Sequence, residues 1–278
     1  MNAETIFEVD TLLFVEPAFG YLTEMAYLPD LLRIPAGKGL ARLLIDGDDD
    51  PLALALSADG CTWWATTCLY RSLTAEEIAR FEDIGGDIYQ IERGIWERAV
   101  RRSFAEEIQK TVHPAFEDVP PDRIIKLESL LHEIWGTNGS GPCIDCCCGS
   151  GIGSVIVSKM GMEPLAYDND PALIARGLIA ERLNPEGTIC IDGRTADIFL
   201  PPAEKGLGIM IGEIHAFDSE IWEELVMVLF DLCDEALITV GTERESELIR
   251  EWGASMDRTI EVFENDRDLI YDRFVCVG

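Results

Sequence analysis

The chain has 278 residues, of which 47% are hydrophobic and 27% are charged, so it is long enough to bury one large core or two smaller ones. Its 52 acidic and 22 basic residues give a formal net charge of −30, which repels nucleic acid unless a local basic groove intervenes. No apolar run approaches the roughly 20 residues of a membrane span, and the first residues do not resemble a signal peptide. We therefore expect a cytoplasmic protein that does not act on membranes, and the charge argues moderately against a nucleic-acid partner.

Strand signals dominate the first half of the N-terminal region. Short apolar runs at 11–17 and 41–47 predict strands, and the run 51–71 predicts a hairpin because Ser-Ala-Asp-Gly interrupts two β-like stretches. Trp63 and Trp64, adjacent in this hairpin, are candidates for an aromatic wall over a site. Strand alternation predicts instead that one of the two faces a core.

Helical signals follow in the same region. Thr74 and Glu77 have the spacing of a capping box, and apolar residues recur at helical spacing over 88–112. Pro114 ends this long helix, because proline disfavours a helical conformation at the residue before it. We expect residues 1–118 to form a small α+β accessory domain that covers the substrate, and residues 119–278 to form a second domain.

Strand-like and helix-like segments alternate after residue 119, which is typical of an α/β fold with a mostly parallel, doubly wound sheet. The last two predicted strands are separated by too few residues for a crossover helix, so they must pair antiparallel. The predicted strands are PCIDCC, PLAYD, TICID, GLGIMIG, EALITVG, RTIEVFEN and LIYDRFVCVG. The predicted helices cover 122–135, 152–160, 171–183, 218–233 and 243–252.

The segment CIDCCCGSGIGS at 143–154 ends the first of these strands and opens a helix. Its glycines let the backbone approach a ligand closely, and a helix N-terminus supplies free N–H groups and a positive dipole end. Asp168 ends the next strand, 17 residues after Gly151, about where an acidic side chain can bind both ribose hydroxyls of an adenosine cofactor. Asp170 is expected to cap the helix that follows.

This combination resembles the class I S-adenosylmethionine-dependent methyltransferases, whose first motif is a strand ending in an acid followed by Gly-x-Gly. The resemblance covers residues ~122–278 and implies a seven-stranded, mostly parallel sheet with an antiparallel last strand. It also implies S-adenosylmethionine as cofactor and, as methyl acceptor, a small molecule, a cofactor precursor or a protein side chain. The cofactor-binding residues that it implies are Asp145, Cys147, Gly149, Ser150, Gly151, Gly153, Asp168, Asn169, Asp192 and Asp197.

The sequence departs from the usual first motif of the family, because Cys147 stands where that motif has glycine. The form Asp-x-x-Cys-Gly-Ser-Gly does occur in members that methylate exocyclic amines on bases, but the loop after the fourth strand lacks the Asn/Asp-Pro-Pro-aromatic motif that those members carry. That loop carries Glu213 and His215 instead, and we interpret this pair as candidate general bases. The alternative is that Glu213 and His215 are polar residues of a loop without a catalytic role. Asp192 and Asp197 can likewise be acidic loop residues that only contact solvent.

Three other functions stay open. The glycine loop also approximates Gly-x-Gly-x-x-Gly, which indicates an NAD-binding oxidoreductase, although an acid at Asp145 suits a methionine ammonium better than a pyrophosphate. Cys143 and Cys146 have zinc-ligand or iron–sulfur spacing, but no second Cys-x-x-Cys pair follows, and we expect no metal. A non-catalytic, adenosine-nucleotide-binding regulatory protein is the third alternative. A homodimer is compatible with each.

Overall fold

A computed structural model describes residues 1–117 and 119–278. The chain divides into two compact units, Met1–Glu106 (unit 1) and Glu107–Gly278 (unit 2). This division falls inside the long helix that the sequence predicts, earlier than the predicted boundary after residue 118. No helix in the described ranges is long and apolar enough to cross a membrane.

Unit 1 is built on one five-stranded sheet with short helices and one long helix. Its strands are β1 (Thr11–Phe14), β2 (Ala41–Ile45), β3 (Pro51–Ser57), β4 (Thr62–Thr67) and β5 (Gly86–Gln90). Its helices are α1 (Ala3–Phe7), α2 (Leu28–Leu32), α3 (Ala75–Ile84) and α4 (Arg93–Thr111), the last of which continues past the division between the units. The sheet order is β1-β4-β3-β2-β5, with β1–β4 and β2–β5 parallel and the two central pairs antiparallel.

The predicted hairpin and capping box of unit 1 are confirmed. β3 and β4 pair antiparallel, and α3 begins with reciprocal hydrogen bonds between Thr74 and Glu77. The long helix begins at Arg93 rather than near 88, because residues 86–90 pair with β2 as an edge strand. A Cβ at Gly86 would overlap the Ala41 carbonyl, so glycine is what allows this close pairing.

The two adjacent tryptophans of β4 lie in different environments. Trp63 is 2% exposed and stacks against the Arg42 guanidinium at 4.4 Å, whereas Trp64 is 39% exposed. Strand alternation accounts for the difference, because successive side chains point to opposite faces of a sheet. Trp63 therefore belongs to the core of unit 1.

Unit 2 contains a seven-stranded sheet covered by helices. Its strands are β6 (Pro142–Cys146), β7 (Glu163–Asp168), β8 (Thr188–Cys190), β9 (Ala203–Gly208), β10 (Cys233–Val240), β11 (Glu261–Glu264) and β12 (Phe274–Val277). Its helices are α5 (Arg123–Trp135), α6 (Ile152–Lys159), α7 (Pro171–Ile179), α8 (Ala196–Phe199), α9 (Ser219–Leu232) and α10 (Glu243–Ser255). All the predicted strands are present, but the fourth is shifted toward the N-terminus and ends at Gly208.

The strand order is β11-β12-β10-β9-β6-β7-β8, and β12 runs antiparallel to both of its neighbours. The predicted fold class, a mostly parallel doubly wound sheet with an antiparallel last strand, is therefore confirmed. The chain runs outward from β6 to β8 and then returns to β9 on the other side of β6. Such a reversal opens a crevice at the carboxyl ends of the two central strands, which is where open α/β sheets bind ligands.

Candidate active site

A cleft of about 750 Å³ lies in unit 2 at the carboxyl ends of β6 to β9. It brings together residues that are far apart in sequence, from the loops after each of these four strands. The predicted cofactor-binding residues that line it are Asp145, Cys147, Gly149, Ser150, Gly153, Asp168, Asn169 and Asp192. Gly151 and Asp197 are not among the lining residues, and neither are Glu213 and His215.

The loop between β6 and α6 has three residues with positive φ. Cys147 and Gly149 both have φ 52°, and Gly151 has φ 82°. A Cβ on Gly149 would meet no atom within 4 Å, so this glycine leaves open space, whereas a Cβ on Gly151 would lie 2.7 Å from the Leu183 side chain. Gly151 therefore packs against Leu183, and it is not among the residues that line the cleft. The left-handed backbone at Cys147 explains why glycine suits this position.

Asp145 is buried beneath the start of α6. Its side chain is 1% exposed, and its Oδ2 accepts a hydrogen bond from the Ser154 hydroxyl at 2.5 Å. Burial raises the pKa of Asp145 to about 7, although hydrogen bonds from Ser154 act in the opposite direction. This carboxyl group is therefore poised to ionise near neutral pH when a cation enters the cleft.

Asp168 ties the second strand to the glycine loop. Its Oδ2 accepts from the Gly149 N–H and its Oδ1 from the Asp170 N–H, each at 2.8 Å. Burial raises the pKa of Asp168 even though these backbone hydrogen bonds favour the charged form. A carboxylate oxygen has two lone pairs, so each oxygen can accept one further donor such as a ribose hydroxyl. Asp170 caps α7, as predicted.

Glu117 is a cleft residue that sequence reasoning missed. It accepts hydrogen bonds from the Ser150 hydroxyl of the glycine loop and from the Arg182 guanidinium, and Arg176 lies 3.5 Å from it. Burial alone would raise the pKa of Glu117, but these donors outweigh it and hold the pKa below its usual value. No local signal in the sequence pointed to Glu117, because its partners follow it by 33 to 65 positions.

The side of the cleft at β9 is lined mainly by apolar side chains. Ile209, Met210 and Ile211 follow β9 directly and line it, together with Trp222 of α9 and Tyr271 before β12. Met210 has φ 48°, a left-handed conformation that is uncommon for methionine. This wall is apolar, in contrast to the acidic residues at the ends of β6 and β7.

The remaining predicted side chains are engaged elsewhere. Asp192 lines the cleft, but both of its oxygens accept hydrogen bonds from the Arg194 guanidinium, and these bonds hold the pKa of Asp192 below its usual value. Asp197 is exposed in the first turn of α8. Glu213 and His215 are exposed side chains that lie 3.5 Å from each other. The strand shift explains their position, because β9 ends at Gly208 and places them five and seven residues beyond it.

The cysteines of the motif are free thiols. Cys143 lies in the core beneath α5 and α6, and the Sγ atoms of Cys146 and Cys147 are 3.7 Å apart. Burial raises the pKa of Cys143 and Cys148 well above the usual thiol value, so both are poor nucleophiles at neutral pH. Among the described residues, no group of three or more His, Cys, Asp or Glu side chains is arranged to hold a metal ion.

No protein-family model matches the chain, and no curated protein matches it. Several solved methyltransferase structures are similar to it at low identity. Magnesium protoporphyrin IX methyltransferase from Synechocystis PCC 6803, solved with bound SAM, is 13% identical, with 65% of this chain and 96% of that one covered and a TM-score of 0.43. Precorrin-6y C5,15-methyltransferase from Geobacter metallireducens is 10% identical, with 60% and 93% covered and a TM-score of 0.44.

The 16S rRNA N2 G1207 methyltransferase from T. thermophilus, solved with AdoMet and guanosine, is 15% identical, with 59% of this chain and 44% of that one covered and a TM-score of 0.42. Likenesses at this level concern the fold and identify neither an acceptor nor a partner. They give no support to the expectation that nucleic acid is an unlikely partner. The strand order of unit 2 itself defines an open, doubly wound α/β sheet of the Rossmann-like type.

Proposed function

We propose that unit 2 binds S-adenosylmethionine in the cleft and transfers its methyl group to an acceptor. The observation that carries this proposal is the charge of the cleft around the glycine loop. Asp145, Asp168 and Asp170 converge there, at the carboxyl ends of adjacent strands. A cofactor with a cationic sulfonium and an ammonium group suits such surroundings, because opposite charges compensate buried carboxylates.

The residues of the cleft fit the parts of this cofactor. Asp168 can accept hydrogen bonds from the ribose hydroxyls with its remaining lone pairs. The open space beside Gly149 gives the methionine portion close access to the backbone. Asn169 and Asp192 line the cleft beyond Asp168, where an adenine ring would reach.

A nicotinamide dinucleotide fits the same cleft less well. Its pyrophosphate would face Glu117 and Asp168 at the glycine loop, and anions need cationic partners when they are desolvated. The described lining includes two cationic side chains, Arg123 and Arg194, and each already forms an ion pair, with Asp272 and Asp192 respectively. We therefore favour methyl transfer over hydride transfer.

The cofactor supplies an activated methyl group on a cationic sulfur. The residues of this chain would orient the acceptor and exclude water, and this is where most of the rate acceleration of such a displacement arises. His215 and Glu213 remain candidate bases only for an acceptor that extends beyond the cleft, because both side chains lie outside its lining.

Titration calorimetry of the whole chain tests the proposal. We expect S-adenosylmethionine and S-adenosylhomocysteine to bind with one site per chain, and NAD not to bind. Asp168→Asn should weaken binding by about 1.5–3 kcal/mol, or about 10- to 150-fold, which is typical of lost hydrogen bonds to a charged group. Asp197→Asn is the matched control, since Asp197 is an exposed acid outside the cleft.

Binding of NAD in place of S-adenosylmethionine would contradict the proposal. If Asp168→Asn and the control bind S-adenosylmethionine with equal affinity, and both variants are folded, then Asp168 does not bind the cofactor. Tight cofactor binding without turnover in any pool of acceptors would favour the non-catalytic alternative.

A further inference from the structure

The part of the cleft at β9 has a composition that differs from its acidic part. We call it the apolar chamber and define it by Val119, Ile209, Met210, Ile211, Trp222 and Tyr271, all of which line the cleft. None of these six side chains is a histidine or a carboxylate. They therefore offer neither a general base nor a charged partner of their own to a molecule that contacts them.

A buried hydrogen-bond network fixes the wall of this chamber. The Met210 N–H donates to the Thr239 hydroxyl at 2.8 Å, and that hydroxyl donates to Asp272 Oδ1 at 2.6 Å. Arg123 donates to both Asp272 oxygens, at 3.1 and 3.3 Å. Thr239 and Asp272 are fully buried, so the network holds Met210 in its left-handed conformation from within the core.

Arg123, a cationic side chain of the described lining beside the chamber, is already neutralised. Arg123 is paired with Asp272, and its guanidinium lies 5.1 Å from the centre of the Tyr271 ring. An acceptor with a phosphate or an ionised side chain would lose part of its hydration here without gaining a charged partner. An apolar molecule has no such loss and gains from the apolar surface that it buries.

From these observations we propose that the methyl acceptor is a small, uncharged, apolar molecule that occupies the apolar chamber. This inference rests on the proposed function. The new bond joins the nucleophilic atom of the acceptor to the methyl carbon, the carbon–sulfur bond breaks with its electron pair on sulfur, and the proton of the acceptor leaves to solvent water. The six side chains of the chamber position the acceptor and supply no base.

A binding experiment tests the chamber without requiring turnover. The probe is N-phenyl-1-naphthylamine, an uncharged apolar fluorophore, added to protein saturated with S-adenosylhomocysteine. We expect saturable binding that Ile209→Asp weakens about tenfold or more, because the new carboxylate is desolvated by the probe. Ile198→Asp is the matched control, since Ile198 is 51% exposed on α8 and lies outside the cleft.

Equal probe affinities for Ile209→Asp and Ile198→Asp would overturn the proposal. Calorimetry with S-adenosylhomocysteine shows whether the Ile209→Asp variant has kept its fold. If it has not, Tyr271→Ser provides the second test, because this partly exposed side chain can be shortened without opening the core.

A labelling experiment then distinguishes the classes of acceptor. The wild-type chain is incubated with an extract of the source cells and tritium-methyl S-adenosylmethionine. Label in an organic-extractable fraction that resists protease and nuclease supports the proposal. Label in acid-precipitable protein or nucleic acid overturns it and leaves the proposed methyl transfer intact. Cofactor binding without label in any fraction contradicts methyl transfer itself, and with it the inference.

Discussion

The two ends of the cleft differ in how their residues are prepared for a ligand. At β6 and β7, Asp145 and Asp168 are buried carboxyl groups whose pKa values burial raises. At β9, Ile209 and Met210 present apolar side chains on a backbone that the core holds in place. The first end is suited to bind and compensate charge, and the second is suited to bind an uncharged, apolar molecule. A displacement at a cationic sulfur needs a charge-compensating site and an acceptor site side by side.

The largest effect we expect is on the free energy of unfolding, and it distinguishes Gly151, which packs against Leu183, from Gly149, which has open space beside it. Gly151→Val would place a branched side chain against Leu183 and strain a backbone at φ 82°. We expect a loss of about 3–5 kcal/mol in the free energy of unfolding, from overpacking and left-handed strain together. Denaturant unfolding of Gly151→Val and Gly149→Ala measures this. Similar losses for both variants would show that the two glycines do not differ.

The pH dependence of stability tests the acidic end. Because burial raises the pKa of Asp145 to about 7, the folded chain retains a proton that the unfolded chain loses near pH 4. The stabilising effect of this proton is fully present below pH 4 and is lost as the pH rises through about 7. Between pH 5 and 8, wild type should lose about 2–3 kcal/mol relative to Asp145→Asn.

Urea unfolding of wild type and Asp145→Asn at several pH values provides the measurement. Subtracting the two free energies of unfolding at each pH removes the contribution of the other titrating groups, which both chains share. A difference that is constant from pH 5 to 8 would show that Asp145 is already ionised in the free protein.

A smaller effect is expected at Cys147, where the sequence departs from the usual glycine. Cys147 has φ 52°, so Cys147→Gly should relieve left-handed strain and raise the free energy of unfolding by about 0.5–1 kcal/mol. Cofactor affinity should stay within about twofold of wild type. Thermal unfolding and calorimetry measure the two quantities. A large loss of affinity would instead assign the thiol a direct contact with the cofactor.

The smallest effect concerns the loop beyond β9. His215→Ala and Glu213→Gln should each change turnover less than about threefold with a small acceptor, because neither side chain lines the cleft. A base that acts in the reaction would contribute about 100-fold or more. A loss of turnover of about 100-fold, with cofactor affinity unchanged, would show that His215 or Glu213 acts as a base and that the acceptor extends beyond the chamber.

Features that depend on neighbouring residues could be predicted from the sequence. The glycine loop, the strand that ends at Asp168 and the antiparallel last strand are each encoded by local spacing or connection length, and the structure contains all three. Features that depend on distant partners could not be predicted. The bonds of Glu117 to Ser150 and of Thr239 to Asp272 join residues 33 positions apart, and no periodic pattern marks them.

The errors have the same physical origin. Residues 86–90 continue the apolar spacing of the following helix, yet pairing with β2 makes them a strand. The apolar run through Ile211 predicts a fourth strand that continues to residue 212. The left-handed backbone at Met210 prevents this continuation, and β9 ends at Gly208. In both cases tertiary contacts outweigh local preference, and at β9 the shift moves the candidate bases out of the cleft.

A crystal structure of the complex with S-adenosylhomocysteine tests the central claim most directly. We predict ribose hydroxyls within hydrogen-bond distance of Asp168, the homocysteine portion beside Gly149, and the sulfur directed toward the apolar chamber. A ligand bound elsewhere, or in the cleft with its ribose away from Asp168 and its sulfur away from Met210, would contradict the account.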